Sequence, residues 1–407
     1  MQLPQPLTDQ VEEAIKKLDL WVRRRDFKGY DPYDLAELQR CWGNRVSRIP
    51  LADRISGIVI RLMWPYEAGR RVLGAKPTYN AKGLGLFLQA YCNLFRVTQI
   101  NEFRDVAITI GEKLLELSLA PKYPFGWGHT FDWQSRVFFP AGTPFGTICC
   151  EVGQGFCELF AITNDEQWLD TVVGISKHLT TNHRMDYSVE QDAVCFSYSP
   201  IDDFHVHNAN LLIGSFLARV GKLTSNAHFT NVSRMCVNYA LNEMDEDGGL
   251  NYWAKDQTIK NHQDNYHTGF EVRSLLMIGQ QSNDRNAFQA ALRRYDYYVA
   301  NFIGREGQPR RSPQLDELID IHGCAEALLV HTAMLHFHED AYGHLLNSLR
   351  WVLHNTQNRD GSYCYQLVRK KTHHRYVANR MPYMRWGQAW MLLALSKVLE
   401  VNACSDG

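Results

Sequence analysis

Two kinds of apolar stretch alternate along this chain. GLGLFLQAYCNLF at 83–95 and GTICCEVGQGFCELF at 146–160 are apolar on nearly every side, whereas DEQWLDTVVGISKHL at 165–179 is apolar along one face only. A helix that is apolar all round is buried, and one with a polar face lies outside. The pattern therefore predicts an inner helix paired with an outer one. Between them runs a short turn that recurs: RVTQINEFRD at 96–105, AITNDEQWLD at 161–170, KLTSNAHFTN at 222–231 and QQSNDRNAFQ at 280–289. Thr98, Thr163, Thr224 and Ser282 within these turns are separated by 65, 61 and 58 positions, and HFHEDAYGHL at 336–345 continues the series. Near-constant spacing of this kind marks internal repetition.

The inner helices are predicted to begin near residues 80, 146, 205, 266, 321 and 384. Only five outer helices follow them clearly. TDQVEEAIKKLDLWVRRR at 8–25, with Val11, Ala14, Ile15, Leu18 and Trp21 at helical spacing, supplies a sixth by packing beside 384–400. A second, irregular helical region is expected from 34 to 63, after the turn-like GYDPYD. The expected fold is thus all-α, an (α/α)6 toroid spanning 1–407 as one domain, with small turn and strand elements in the loops at one face. Connections from inner to outer helix are short. Those from outer to inner are long, at 118–144, 180–204, 244–264, 304–319 and 357–383, and all lie on one face around the starts of the inner helices. Long connections in a compact domain carry function.

Composition narrows the ligand. Among 407 residues, 43 basic and 44 acidic side chains nearly cancel. That balance argues against nucleic acid and against a polybasic membrane surface. No apolar run reaches the length of a membrane span, and the first twenty residues lack the pattern of a secretory signal. The ten cysteines sit mostly in apolar helical runs, as free thiols in a reducing cytoplasm do. No Cys/His spacing marks a metal site, and no cofactor motif is present.

The predicted mouth is rich in chemistry. GWGHTFDW brings Trp127, His129, Asp132 and Trp133; FSYSPIDDFHVHN brings Asp203, His205, His207 and Asn208; HQDNYHTGF brings Asp264, Tyr266 and His267. DELIDIHG carries His322, with Glu326 one turn further on the same face, and RYVANRMPYMRW carries Arg380, Tyr383, Arg385 and Trp386. Glu151, Glu271 and Arg273 fall on early turns of inner helices. Aromatic planes interleaved with carboxylates, amides, His and Arg suit sugar rings. Converging helix N-termini, with Arg273, Arg380 and Arg385, suit an anionic group. Each residue also has a structural reading: Asp202 and Asp203 as caps, the arginines in internal ion pairs, the tryptophans in loop packing. DEDGGLNYW and NRDGSYCY read as glycine turns followed by short strands.

DNYHTGFEVRSLL, HVHNANLLIGSFLARV and MPYMRWGQAWMLLAL together resemble the six-hairpin, (α/α)6-toroid glycan-active superfamily. Within it they are similar to bacterial exopolysaccharide-cluster proteins of the VpsJ type and, distantly, to the helical domain of D-glucuronyl C5-epimerases. The resemblance implies modification of a bacterial polysaccharide or its precursor. It brings Tyr266, Tyr383, Glu271 and Glu326 forward as proton-transfer groups beside a uronate carboxylate.

The leading expectation is an enzyme acting on an anionic oligosaccharide or polysaccharide by epimerisation or elimination. One alternative is an inverting glycoside hydrolase using two mouth carboxylates such as Asp203 and Asp264. Another is a glycan-binding or assembly factor without chemistry. A 2-epimerase of free N-acyl sugars is a further alternative. A terpene-cyclase-like toroid is disfavoured by polar inner-helix starts and the lack of a DDxxD run.

Overall fold

The computed structural model describes residues 2–34, 62–63, 65–315, 317–370 and 375–403. The irregular helical region expected at 34–63 lies almost wholly outside the described residues. Among the rest, helices dominate: α1 (Gln5–Arg23), α2 (Glu67–Val72), α3 (Ala81–Thr98), α4 (Asn101–Glu116), α5 (Gly146–Thr163), α6 (Glu166–Asn182), α7 (His207–Thr224), α8 (Ala227–Leu241), α9 (Asn265–Ser282), α10 (Arg285–Phe302), α11 (Ile321–Met334), α12 (Ala341–Asn355) and α13 (Trp390–Ala403).

Helices α3, α5, α7, α9, α11 and α13 pack each against the next, and α13 returns to α3, so the inner layer closes into a ring. Helices α4, α6, α8, α10 and α12 each pack outside the inner helix they follow, and α1 lies against α13 and α12. This is the (α/α)6 toroid that the alternating hydrophobic pattern predicts. Inner helices α3 and α5 approach backbone to backbone. A side chain at Gly85 would meet Glu151 O and Val152 N at 2.9 Å, and one at Gly155 would meet Gly85 O at 2.9 Å.

The recurring turn has a physical origin. The residue after α3, α5, α7 and α9 is left-handed in every case: Gln99, Asn164, Ser225 and Asn283, with φ between 53° and 57°. The preceding Thr98, Thr163 and Thr224 hydroxyls each donate to the carbonyl four residues back, at 2.7–2.8 Å. Asp165, Asn226 and Asp284 then cap the outer helices, accepting amide hydrogens of their first turns. The turn after α11 differs: Leu335, which follows the helix, is in right-handed conformation.

The long connections carry the short strands at one face. β1 (Trp133–Gln134) pairs with β2 (Phe138–Phe139), and β3 (Met185–Ser188) with β4 (Ala193–Phe196), both antiparallel. β5 (Leu318–Asp320), β6 (Gln366–Arg369) and β7 (Tyr376–Asn379) form a third antiparallel sheet. Gly248 and Gly361 take φ of 89° and 92°, as the glycine turns require. After Gly248 an isolated antiparallel bridge of Trp253 with Val206 takes the place of a strand. The sixth inner helix is also less regular than its pattern suggests, because Met384–Ala389 forms a π-helical turn before α13. In that turn the Gln388 side chain donates to Tyr363 O and accepts from Tyr363 N, tying it to the preceding loop. Such turns recur at functional sites.

Candidate active site

A cleft of about 590 Å³ opens on the face bearing the long connections. Loop 117–145 contributes Trp133 and Phe139, loop 183–206 contributes Tyr198 and Phe204, and loop 242–264 contributes Tyr252, Trp253, His262 and Asp264. Tyr266 and His267 enter from the first turn of α9, Arg311 from the loop before β5, and Tyr33 from the N-terminal segment. Its walls are aromatic. Trp133 stacks on Phe139 at 5.4 Å, Tyr252 stacks on His262 at 4.8 Å, and Trp253 meets Phe204 edge to face at 5.5 Å.

At the foot of the cleft Asp264 caps α9. Its Oδ1 accepts the His267 amide at 3.0 Å and its Oδ2 lies 2.7 Å from His267 Nδ1. Burial pushes the Asp264 carboxyl up, but the charge of His267 and its two hydrogen bonds outweigh this and leave the group below its ordinary value. The carboxylate therefore fixes the imidazole with Nδ1–H inward. Nε2 has no hydrogen-bond partner among the described residues, and His267 is partly exposed to the cleft. A carboxylate-oriented imidazole with a second nitrogen facing a cleft has the geometry that general-base chemistry requires.

Tyr266 lies beside it, ring centroids 4.3 Å apart. Burial, with Asp264 nearby, holds its hydroxyl far above the ordinary phenol value, which keeps the phenol protonated. The Tyr266 ring stacks on His322 at 4.4 Å and 5°, and His322 in turn stacks on Trp390 at 4.7 Å, with Trp386 edge to face at 4.9 Å. Both ring nitrogens of His322 are buried, with no hydrogen-bond partner among the described residues. Burial and the charges of Lys82 and Arg385 keep this imidazole neutral.

The sequence candidates divide sharply by position. Trp133, Asp264, Tyr266 and His267 line the cleft, and His322 and Trp386 stand directly behind Tyr266. Arg273 is bound bidentately by Glu326, at 2.6 and 2.9 Å, and Arg385 by Asp31, at 2.5 and 2.8 Å. Glu271 holds Arg294 of α10, whose guanidinium also donates to Gly248 O and Leu250 O. In each of these pairs the charge is balanced within the protein. Arg380 faces a different groove, donating to Asn358 Oδ1. Tyr383 accepts from Arg70.

The DDFHVHN segment spends its polar groups on structure. Asp202 accepts from Tyr198 N, Phe204 N and Ser199 Oγ, and so closes its own loop without capping α7, whose N-cap is Val206. Asp203 is exposed and outside the cleft lining. His205 is clamped between Asp256 (2.5 Å) and Asp186 (2.8 Å), and His207 is buried against Glu243 at 3.0 Å. Asn208 is buried in α7 with its Oδ1 unpartnered. In the GWGHTFDW loop, Trp127 is fully buried and donates to Leu114 O, and Asp132 accepts from Ala141 N. His129 packs on Phe131 at 4.8 Å, with burial driving its pKa down to about 3. Glu151 is buried in α5, one oxygen bound by Gln89 and the other unpartnered.

The sequence reading singled out none of Tyr33, Phe139, Tyr198, Phe204, Tyr252, Trp253, His262 and Arg311, which also line the cleft. GGLNYW serves as more than a turn, because Tyr252 and Trp253 line the cleft. His262 stacks on Tyr252, with Nε2 3.9 Å from Asp264. Arg311, in a loop with no motif, presents a guanidinium to the cleft that has no ion pair among the described residues. Only the RRS sequence around Arg311 was available as a signal, and nothing in it distinguishes Arg311 from Arg310. Among the described residues no three His, Cys, Asp or Glu side chains gather as metal ligands.

No family model matches the chain, and no curated protein matches it. Solved structures do. A cellobiose 2-epimerase from Bacillus thermoamylovorans superposes with a TM-score of 0.63 at 12% identity, covering 79% of this chain and 88% of that one. A GH76 α-mannanase from Bacteroides thetaiotaomicron gives 0.59 at 10% identity, covering 81% and 88%. An unsaturated glucuronyl hydrolase specific for heparin gives 0.57 at 9% identity, covering 79% and 86%. Likeness at these identities establishes the shared toroid fold.

Proposed function

We propose that this protein is a carbohydrate-active enzyme that moves a proton on a sugar carbon, acting on a uronic-acid-containing bacterial polysaccharide or its precursor by C5 epimerisation or elimination. The observation that carries the reading is His267, held by Asp264 with Nε2 free at the foot of an aromatic cleft. Nε2 takes the proton from C5. The electron pair moves into the neighbouring carboxylate, where Arg311 stabilises the developing charge. The neutral Tyr266 hydroxyl returns a proton to C5 for epimerisation, or gives it to the departing C4 oxygen for elimination. Solved toroids of this fold include enzymes named as sugar epimerases and a polysaccharide lyase, which supports this class of chemistry.

An inverting hydrolase is less well supported. Among the described residues Asp264 is the only carboxylate lining the cleft, and it is ionised and committed to His267. Inversion needs a second carboxyl that stays protonated. We read the chain as one domain, and the closed ring of inner helices supports that reading. A cytoplasmic setting in polysaccharide biosynthesis accords with the eight described cysteines, all buried free thiols. No described helix is long and apolar enough to cross a membrane.

Incubation with a panel of uronic-acid glycans in D2O tests the reading. Deuterium at C5, or ultraviolet absorbance from an unsaturated product, is expected from the wild type and not from His267→Gln. New reducing ends without either signal would mean hydrolysis. Silence throughout, with retained glycan binding, would mean a binding protein.

A further inference from the structure

The hairpin of β1 and β2 turns at residues 135–137, where Ser135 N donates to Val137 O at 3.1 Å. Ser135 lines the cleft. Beside it, at the cleft rim, the Arg136 guanidinium lies 5.5 Å from the ring centre of Phe204 and 5.5 Å from that of Trp253. Those rings stand edge to face at 88°, come from two other long loops, and both line the cleft. Arg136 is exposed, and its side chain has no hydrogen bond or ion pair among the described residues. Contact with two rings orients a guanidinium while its N–H donors stay free.

The cleft thus has two cations without an ion pair, and they sit at different places. Arg311 is beside the reacting end, since its carbonyl accepts Asn265 N at the start of α9 and its charge acts on His262. Arg136 is further along the wall. Trp253 meets Tyr252 at 4.9 Å, and Tyr252 meets His267 at 4.6 Å, so two aromatic rings separate Arg136 from the imidazole. A ligand group that reaches Arg136 therefore belongs to the sugar after the one held at His267. At about 590 Å³ the cleft is within the range that buries a ligand of more than one ring. Asp264, its only carboxylate lining among the described residues, is committed to His267 and does not answer Arg136.

We propose that Arg136 reads a second acidic group, on the sugar adjacent to the reacting one, so that the substrate is a glycan with acidic groups on neighbouring residues. This rests on the glycan reading above and adds to it the charge of the next ring. A guanidinium matches an oxyanion through two parallel N–H bonds, which both a carboxylate and a sulfate ester accept. A neutral neighbour offers no charge to match. If Arg136 served only to pack the hairpin on Phe204 and Trp253, the charge of the neighbouring sugar would make no difference.

The test uses three trisaccharides that share one reacting uronate and differ in the adjacent sugar, which is neutral, carboxylated or sulfated. Affinity is measured by calorimetry, and KM by the C5-deuterium and ultraviolet signals, in wild type, Arg136→Met and Arg136→Lys. The wild type should favour an acidic neighbour about five- to tenfold in Kd and KM. That ratio should fall to near one in Arg136→Met, which keeps an apolar stem, and be partly restored in Arg136→Lys, which keeps the charge. Preference for the carboxylated ligand identifies consecutive uronates, and preference for the sulfated one a sulfated glycan; either sustains the subsite. A wild type indifferent to the neighbour, no binding of any ligand, or equal weakening of all three in Arg136→Met would overturn it. Turnover without Arg136-dependent preference sinks the subsite alone. Arg136-dependent preference in binding without turnover sustains the subsite and sinks the proton-transfer reading.

Discussion

Oδ2 of Asp264 lies 2.7 Å from Nδ1 of His267, three residues on and in the same first turn of α9, so one carboxylate both caps the helix and aims the imidazole. His267→Gln should lower turnover by about 10² to 10⁴-fold and leave the thermal midpoint within about 2 °C of wild type. Asp264→Asn separates the two duties, because Asn caps a helix as well as Asp does. It should fold normally yet lose most activity. A large loss of stability in His267→Gln would make that residue structural.

Arg311 should govern recognition of charge. Arg311→Met is expected to raise KM for uronate-bearing substrates about ten- to fifty-fold, with little effect on neutral analogues. Added salt should mimic part of the effect in the wild type and none in the variant. Equal losses on charged and neutral ligands would assign Arg311 to packing.

Glu271 and Arg294 form a pair that is 1–2% exposed and anchors the loop at Gly248 and Leu250. Glu271→Gln leaves a buried guanidinium short of a counter-charge. It should cost about 3 kcal/mol in chemical denaturation, with the folded fraction still active. Retained stability together with lost activity would place Glu271 in the chemistry.

His205 is held by Asp186 and Asp256, which tie loop 183–206 to loop 242–264. Burial disfavours its charged form, but the two carboxylates win and its pKa is raised above 6.5. A raised folded pKa stabilises the protonated state. That contribution is full below about pH 6 and is lost as pH climbs through the folded value. The midpoint difference between wild type and His205→Gln should therefore be largest near pH 6 and shrink by pH 8.5. A pH-independent difference would show that the clamp is not ionic.

The repeat was legible because each inner-to-outer turn needs the same local chemistry. A left-handed residue ends the inner helix, a Thr back-bonds before it in three turns of four, and a polar cap follows. Those requirements are written in adjacent residues. Asp264, Tyr266 and His267 were legible for the same reason, being consecutive or nearly so in one helix start. The fates of Arg273, Arg385 and Glu271 were not. Their partners are Glu326, Asp31 and Arg294, at separations of 53, 354 and 23 residues.

Local periodicity by itself determined the all-helical toroid, the face that carries the long loops, and the first turn of α9 as a chemical locus. Hydrophobic period and capping act over a few residues, and a sequence displays them directly. Only the tertiary structure decided which charges are spent. It paired Arg273 with Glu326 and Arg385 with Asp31, bound His205 and His207 to carboxylates, and left Arg311 and Lys82 without an ion pair among the described residues. Electrostatic pairing depends on distances across the ring, and those exist only once the six inner helices have closed on one another.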